Sequence, residues 1–200
     1  MRFVTLEGVD GAGKSSHIEF IADAVRTKGT HVIVTREPGG TELAERLRET
    51  ILAEPMTPIL ETLLVFAARA DHVARIIRPA LAAGTTVVCD RFTDATFAYQ
   101  GAGNGVSREL IARLAEAAHP GLRPNRTLVF DVPYEVSSAR LAKAGRKLDR
   151  FEREDRAFFE RVRGTYLAIA KDEPDRVRVI DASGDAASVR NQIKSALQGL

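Results

Sequence analysis

The chain has 200 residues, 44% of them hydrophobic and 28% charged, with a formal net charge of +2. This length suits one domain with its own buried core, and so small a net charge gives no reason to expect binding to nucleic acid or to a membrane surface. One cysteine, Cys89, excludes a disulfide framework, and no apolar run is long enough to span a membrane. We therefore predict a single cytoplasmic domain over residues 1–200 that binds neither nucleic acid nor membrane.

Short apolar segments alternate with longer helical patterns along the whole chain. Such alternation is typical of an α/β fold in which helices cover both faces of a five-stranded parallel sheet. The predicted strands are Phe3–Leu6, His31–Thr35, Thr85–Asp90, Thr127–Asp131 and Val177–Ile180. The predicted helices are Ser15–Lys28, Glu42–Leu52, Ile59–Ala83, Arg108–Ala118, Tyr134–Ala144, Asp155–Lys171 and Ala186–Leu197. Because ligands bind beyond the carboxyl ends of parallel strands, we expect the site in the loops that follow Leu6, Thr35, Asp90 and Asp131.

A phosphate-binding P-loop follows the first predicted strand. Residues 8–15 read GVDGAGKS, and they lie between a strand and a helix, as this motif requires. Its glycines let backbone N–H groups point at phosphate oxygens, Lys14 reaches the β- and γ-phosphates, and the Ser15 hydroxyl ligates Mg²⁺. The motif therefore predicts a nucleoside triphosphate site.

Charged residues stand at the ends of the second and third predicted strands. The segment REPGGT occupies residues 36–41, and Asp90 and Arg91 end the third strand. P-loop enzymes hold a carboxylate near Mg²⁺ at the position of Asp90, although an acid there can also simply cap the next turn. Arg91 offers a planar fork for bidentate phosphate recognition, and its alternative role is that of an ordinary surface arginine.

A basic segment surrounds Gly145 after the fourth predicted strand. Charge clusters are usually solvated helix faces, but here a glycine interrupts the helical pattern. We therefore predict a mobile lid over about residues 140–154 that closes cations over the transferring phosphate, with the solvated face as the alternative. The cations of the segment are Arg140, Lys143, Arg146, Lys147, Arg150, Arg153 and Arg156.

Together these motifs resemble the thymidylate kinase family. Beyond the P-loop and REPGGT, the resemblance rests on DRF at 90–92 followed by AYQG at 98–101, on LDRFE at 148–152 and on VIDA at 179–182. It implies a P-loop nucleoside-monophosphate-kinase-like three-layer fold, phosphoryl transfer from ATP to dTMP with Mg²⁺, and a homodimer. A phosphate monoester has a second pKa near 6 and is mostly an anion at neutral pH, so we assign no general base.

The resemblance also implies roles for individual residues. ATP would be bound by Gly8, Val9, Asp10, Gly11, Ala12, Gly13, Lys14, Ser15, Ser16, Arg140 and Ala182, and Mg²⁺ by Ser15 and Asp90. dTMP would be bound by Asp10, Arg36, Glu37, Phe66, Arg69, Arg91, Thr96, Tyr99 and Gln100, with Tyr99 under the sugar where a 2′-hydroxyl would collide. The P-loop carries no cation between Asp10 and Gly13, which resembles the bacterial arrangement. Catalytic charge would then come from Lys14, Arg91 and a lid cation among Arg140, Lys143, Arg146 and Lys147.

One departure from the family pattern keeps alternatives open. The family places a thymine-stacking phenylalanine four residues before the arginine at 69, where this chain has Val65, and Phe66 is rotated by about 100° on a helix. Either Phe66 reaches the base through another rotamer or the base preference is looser. The alternatives are another nucleoside-monophosphate kinase, a nucleoside kinase with Glu7 or Glu37 as base, and a non-enzymatic nucleotide-binding module; a GTPase is excluded because the Asn-Lys-x-Asp base reader is absent.

Overall fold

The computed structural model describes residues 2–26, 29–145 and 148–200. Within them the strands are β1 (Phe3–Gly8), β2 (Val32–Arg36), β3 (Thr86–Asp90), β4 (Arg126–Asp131) and β5 (Val177–Asp181). They form one parallel sheet in the order β2-β3-β1-β4-β5. The predicted five-stranded parallel sheet is therefore confirmed, with every strand end within two residues of its predicted position.

The helices lie on both faces of this sheet. They are α1 (Ile18–Val25), α2 (Glu42–Ala53), α3 (Pro58–His72), α4 (Arg78–Ala82), α5 (Thr93–Thr96), α6 (Arg108–Ala118), α7 (Tyr134–Lys143), α8 (Arg156–Asp172) and α9 (Ala186–Ala196). Alternate residues of one strand point to opposite faces, so Phe3 joins the core under Val73 and Ile77, whereas Val4 joins the core under Ile21 of α1. No helix in the described part of the chain is long and apolar enough to cross a membrane.

Two predicted helices differ from the observed ones. The predicted helix Ile59–Ala83 is interrupted by a π-helical turn, Val73–Ile77, between α3 and α4. Pro79 has no N–H to donate to the fourth residue before it, and the wider turn just ahead of it lets the Arg78 N–H bond to Val73 instead. The first predicted helix begins as a 3₁₀ turn, Lys14–His17, and it is shorter than predicted, since α1 ends at Val25 and Arg26 is already extended. The predicted end, Lys28, lies outside the described residues.

A further helical segment was not predicted. After α5 the chain continues as a π-helical segment, Phe97–Gly103. The parallel register places the ends of the strands side by side, with Leu6 opposite Asp90 and Gly8 opposite Phe130. The P-loop and the end of β3 therefore lie side by side at the carboxyl edge of the sheet. The segment Phe97–Gly103 reaches both, because the Tyr99 hydroxyl hydrogen-bonds with Asp10 and Arg91.

Candidate active site

The P-loop fits between β4 and α7 because glycines occupy the positions where its backbone comes closest to these two elements. Gly8 and Gly11 have φ angles of 129° and 73°. A Cβ atom would lie 2.3 Å from the Phe130 carbonyl oxygen at Gly8, and 2.7 Å from the Ser137 carbonyl oxygen at Gly11. Side chains at these positions are excluded both by the backbone angle and by the close approach of neighbouring backbone.

Lys14 is buried at the centre of this loop. Its Nζ donates to the carbonyl oxygens of Gly8 at 3.0 Å and Val9 at 3.1 Å. Burial and the nearby charge of Arg91 lower the pKa of Lys14 to about 8, against the opposing pull of Asp90, Asp10 and Glu7. A triphosphate beside this amine would favour its charged form, so the loop is suited to binding an anion.

A cleft of about 630 Å³ lies above the P-loop, within the range of ligand sites. The predicted donor-site residues that line it are Asp10, Gly11, Ala12, Gly13, Lys14, Ser15, Ser16, Arg140 and Ala182. Gly8 and Val9 are buried beneath it and present their carbonyl oxygens to Lys14. The structure thus brings the predicted donor residues together around one cleft.

Arg140 connects three parts of the donor cleft. Its Nη2 donates to the Ala182 carbonyl oxygen at 2.8 Å, and its Nη1 donates to the carbonyl oxygens of Ala12 and Gly11 at 3.3 and 3.4 Å. Of the other predicted lid cations, Lys143 is exposed at the end of α7, and Arg146 and Lys147 lie outside the described residues. Among the lid cations that the structure describes, Arg140 is therefore the one held at the P-loop.

Asp90 has a buried oxygen available to a ligand. It lines the cleft at the end of β3, and nothing in the described part of the chain donates a hydrogen bond to its Oδ1. Ser15 lines the same cleft. A carboxylate oxygen and a hydroxyl oxygen are hard ligands of the type that Mg²⁺ prefers, so the pair fits the metal or its water shell.

Arg91 is held in place by contacts from several directions. Its Nη2 donates to Asp10 Oδ1 at 2.6 Å and to the Tyr99 hydroxyl at 3.0 Å, and its Nη1 donates to the Gly8 carbonyl at 2.9 Å. Its backbone φ of 68° is unusual for a residue other than glycine and points to a conformation imposed by its surroundings. Burial favours the neutral form of Asp10, but Arg91 and Lys14 outweigh it, so the pKa of Asp10 is lowered.

A second, smaller pocket of about 80 Å³ adjoins the donor cleft. The predicted acceptor residues that line it are Asp10, Glu37, Arg69, Arg91, Thr96, Tyr99 and Gln100. Asp10, Glu37, Arg48 and Arg91 line both spaces. The two spaces therefore meet at Asp10 and Arg91, where a group can pass from one ligand to the other.

Arg69 and Glu37 form the wall of this acceptor pocket. The Arg69 Nε donates to Glu37 Oε2 at 2.6 Å, and its Nη1 donates to Thr96 Oγ1 at 3.0 Å. The other Glu37 oxygen is 3.0 Å from His72 Nδ1. Burial raises the pKa of Glu37, but Arg69 and His72 more than offset this and hold it below its usual value. Glu37 is therefore a paired anion in the wall.

Phe66 and Arg36 are not placed as predicted. Phe66 lines neither space and packs in the core beside Val106 and Ile111, because the one-position shift on α3 turns Val65 toward the acceptor pocket instead. Arg36 lines the donor cleft and pairs with Glu45 at 2.8 Å on the surface.

Among the residues that line the acceptor pocket but were not predicted to do so are a cation and an aromatic ring. Arg48 of α2 lines both spaces, and burial together with Arg36 and Arg91 lowers its pKa. Phe151, from the predicted lid, reaches the acceptor pocket with its ring edge-on to Tyr99 at 5.7 Å. Arg48 carries no motif signal, whereas Phe151 belongs to LDRFE and could have been found there.

The two acids considered as a general base are both occupied. Glu7 accepts hydrogen bonds from the Phe92 N–H at 2.7 Å and from the Tyr166 hydroxyl at 2.9 Å. Burial, reinforced by Asp94, raises the pKa of Glu7 to about 8. Because Glu7 lines neither space and Glu37 is paired with Arg69, neither carboxylate is placed to accept a proton from a bound hydroxyl.

Known proteins resemble this chain over nearly its whole length. A family model described as thymidylate kinase matches residues 6–193. A thymidylate kinase of Bordetella petrii is 55% identical over 199 residues, covering 100% of this chain and 96% of the relative. A thymidylate kinase of Pseudomonas savastanoi pv. phaseolicola is 55% identical over 201 residues, covering 99% of this chain and 95% of the relative.

A solved structure has the same fold. The crystal structure of thymidylate kinase from Ehrlichia chaffeensis matches with a TM-score of 0.79 and 32% identity, covering 98% of both chains. The parallel sheet, the P-loop at the end of β1 and the helices on both faces give the P-loop nucleoside-monophosphate kinase fold that the sequence predicted. On this agreement of sequence and structure, the chain belongs to the thymidylate kinase family.

Proposed function

We propose that this protein transfers the γ-phosphoryl group of ATP to dTMP in the presence of Mg²⁺, giving ADP and dTDP, a precursor of dTTP. The observation that carries the proposal is the meeting of the donor cleft and the acceptor pocket at Asp10 and Arg91. This arrangement supports direct, in-line transfer between two ligands, as phosphoryl transfer requires.

In the donor cleft, the P-loop N–H groups and Lys14 would hold the triphosphate. Ser15 and Asp90 would hold the metal, and bound Mg²⁺ neutralises charge on the β- and γ-phosphates. Arg140 would add positive charge at the same end, since its guanidinium is already fixed at the P-loop carbonyls. We assign the lid to about residues 140–154, with Lys143, Arg146 and Lys147 as its further candidate cations.

In the acceptor pocket, cations surround the place for the monophosphate. Arg91 and Arg48 would bind it from the shared boundary of the two spaces, and Arg36 would approach it from the donor side. Tyr99 donates its hydroxyl to Asp10 Oδ2 at 2.8 Å, which fixes its ring in the wall of the pocket. A ribose 2′-hydroxyl would then collide with this ring. Arg69, Thr96 and Gln100 would face the base.

The acceptor is a phosphate anion and needs no base. Glu7 and Glu37 are both buried and hydrogen-bonded, so neither supports the alternative of a nucleoside kinase. Catalysis would then depend on positioning and on neutralising charge at the transition state, which is the main requirement of phosphoryl transfer.

The test is a comparison of acceptors. We expect the highest kcat/KM with dTMP among dTMP, dUMP, UMP, CMP and AMP, and we expect Lys14→Ala to remove most turnover. A different preferred acceptor would identify another nucleoside-monophosphate kinase. Nucleotide binding without turnover of any of the five would leave the non-enzymatic module.

We also propose that the protein is a cytoplasmic homodimer. Leu43 of α2 and Ile59, Leu60 and Leu63 of α3 are large apolar residues with between 42% and 48% of their surface exposed. They are exposed along two helices that pack together, and exposed apolar surface of this kind favours association with a second copy. Sedimentation velocity should show a dimer that Leu60→Arg converts to a monomer, and a monomeric wild type would refute the proposal.

A further inference from the structure

Glu61 of α3 is a buried acid to which none of the predicted roles applies. Its Oε1 accepts hydrogen bonds from Gln100 Nε2 at 2.6 Å and from Asn104 Nδ2 at 3.0 Å, and its Oε2 pairs with the Arg150 guanidinium. It is 1% exposed. Keeping a charge so deeply buried requires several partners. Here one partner, Gln100, lines the acceptor pocket, and another, Arg150, packs against Phe151, which also lines it.

The first partner, Gln100, is oriented by this contact. A carboxylate can only accept hydrogen bonds, so the amide nitrogen of Gln100 must face Glu61 and the amide oxygen must face away from it. Gln100 lines the acceptor pocket. Among residues 2–26, 29–145 and 148–200, no group donates to the Gln100 Oε1, so this oxygen is free to accept from a ligand.

The direction of this amide selects one type of base edge. An acceptor oxygen complements a base that presents a ring N–H at that edge, as thymine and uracil do. It opposes a base with an unprotonated ring nitrogen there, as in cytosine, because two acceptors would then face each other without a proton. Pockets that hydrogen-bond a ligand discriminate strongly against such mismatches.

The second partner, Arg150, connects Glu61 to the predicted lid. Its Nε donates to the Ile51 carbonyl of α2, and its guanidinium carbon lies 4.3 Å from the centre of the Phe151 ring. Phe151 lines the acceptor pocket beside Tyr99. Glu61 therefore holds both the amide at one wall and, through Arg150, the aromatic ring at another.

We propose that Glu61 is a positioning residue that sets the base preference of the acceptor pocket by fixing the Gln100 amide, and that it fastens Phe151 over the pocket through Arg150. The inference rests on the proposed dTMP kinase activity and deepens it. Glu61 does not itself line the pocket, and it acts through these two neighbours.

The test is the ratio of kcat/KM for dTMP to kcat/KM for dCMP. Glu61→Gln keeps the shape but offers an amide that can donate, so the Gln100 amide can turn over, and we expect the ratio to fall by about ten-fold or more. Arg150→Gln should raise the KM for dTMP but keep the ratio within about two-fold, since the Glu61 contact to Gln100 remains. Asn104→Ala removes a bond to the same Glu61 oxygen and is the matched control, with the ratio unchanged.

A second variant covers the case in which Glu61→Gln does not fold. Glu61→Leu combined with Arg150→Leu removes both charges together and leaves neither buried alone, which cores tolerate better than a single deletion. It should lower the ratio in the same way. A folded variant of either kind in which kcat/KM falls equally for both acceptors would show a merely structural role and overturn the inference. A wild type inactive with dTMP would instead refute the proposed function.

Discussion

Substitution in the Glu37–Arg69 pair measures how much the buried charges of the acceptor wall contribute to the free energy of unfolding. Glu37 and Arg69 are each 2% exposed, and their closest atoms are 2.6 Å apart. Glu37→Gln keeps the size of the side chain but leaves the Arg69 guanidinium buried without its counter-charge. Removing one partner of a buried pair costs about 3–5 kcal/mol. For a chain of this length that corresponds to a fall in Tm of about 6–20 °C.

The structure contains a matched control for this substitution. Glu45 also pairs with an arginine, Arg36, at 2.8 Å, but these side chains are 36% and 55% exposed. A solvent-exposed pair contributes about 0–1 kcal/mol, so Glu45→Gln should lower Tm by only a few degrees. Thermal unfolding at pH 7, monitored by circular dichroism, measures the change in Tm for both variants. Equal shifts for the two variants would refute the reasoning that burial decides the value of the pair.

The pH dependence of the Glu37→Gln effect has a defined sign. The pKa of Glu37 in the folded protein lies below its ordinary value of 4.5, since Arg69 and His72 outweigh the effect of burial. A lowered pKa contributes stability that is present above the unfolded pKa and is lost as pH falls through the folded one. The Tm difference between wild type and Glu37→Gln should therefore be complete at pH 7 and narrow below about pH 4.5. A difference that widens on acidification would contradict this assignment.

Further predictions concern the two ligand sites. Because the pKa of Lys14 is about 8 in the free protein, kcat/KM for ATP should fall above that pH while kcat at saturating ATP changes less; a flat kcat/KM profile between pH 7 and 9 would contradict this. Tyr99→Phe should retain the preference for dTMP over its ribose counterpart and Tyr99→Ala should lose it, and equal selectivity in both variants would exclude the ring as the barrier. Phe151→Leu should raise the KM for dTMP, whereas Phe66→Leu should lower Tm and leave that KM unchanged. Steady-state kinetics and thermal unfolding of both variants measure these effects. A raised KM in Phe66→Leu with an unchanged KM in Phe151→Leu would show that Phe66, and not Phe151, contacts the acceptor.

The sheet and the P-loop could be predicted because both depend on local patterns. Five apolar runs are long enough to form buried strands, and the P-loop needs only the order of a few residues between a strand and a helix. Ser107 likewise stands where a helix cap is expected, and its hydroxyl accepts from the Leu110 N–H at 3.2 Å.

Contacts between distant parts of the chain were harder to predict. Asp90 and Asp131 look alike in the sequence, since each ends an apolar strand ahead of a loop. In the structure Asp131 receives two hydrogen bonds from Arg163 of α8, at 2.6 and 2.8 Å, whereas Asp90 keeps a buried oxygen with no donor in the described residues. Nothing in the local sequence around Asp131 indicates that a remote arginine pairs with it.

The position of Phe66, by contrast, could have been deduced from helix geometry alone. Residues four apart lie on the same face of an α-helix, so an Arg69 that faces the acceptor pocket brings Val65 and Glu61 to that face as well. The structure agrees, since Val65 and Arg69 line the pocket and Glu61 binds Gln100 behind it. Phe66 is rotated by about 100° from this stripe and joins the neighbouring core, so the aromatic rings that line the pocket come from other segments, namely Phe92, Tyr99 and Phe151. Phe151 packs against the Arg150 guanidinium, so under the role proposed for Glu61 the Glu61–Arg150 pair fixes this part of the aromatic wall.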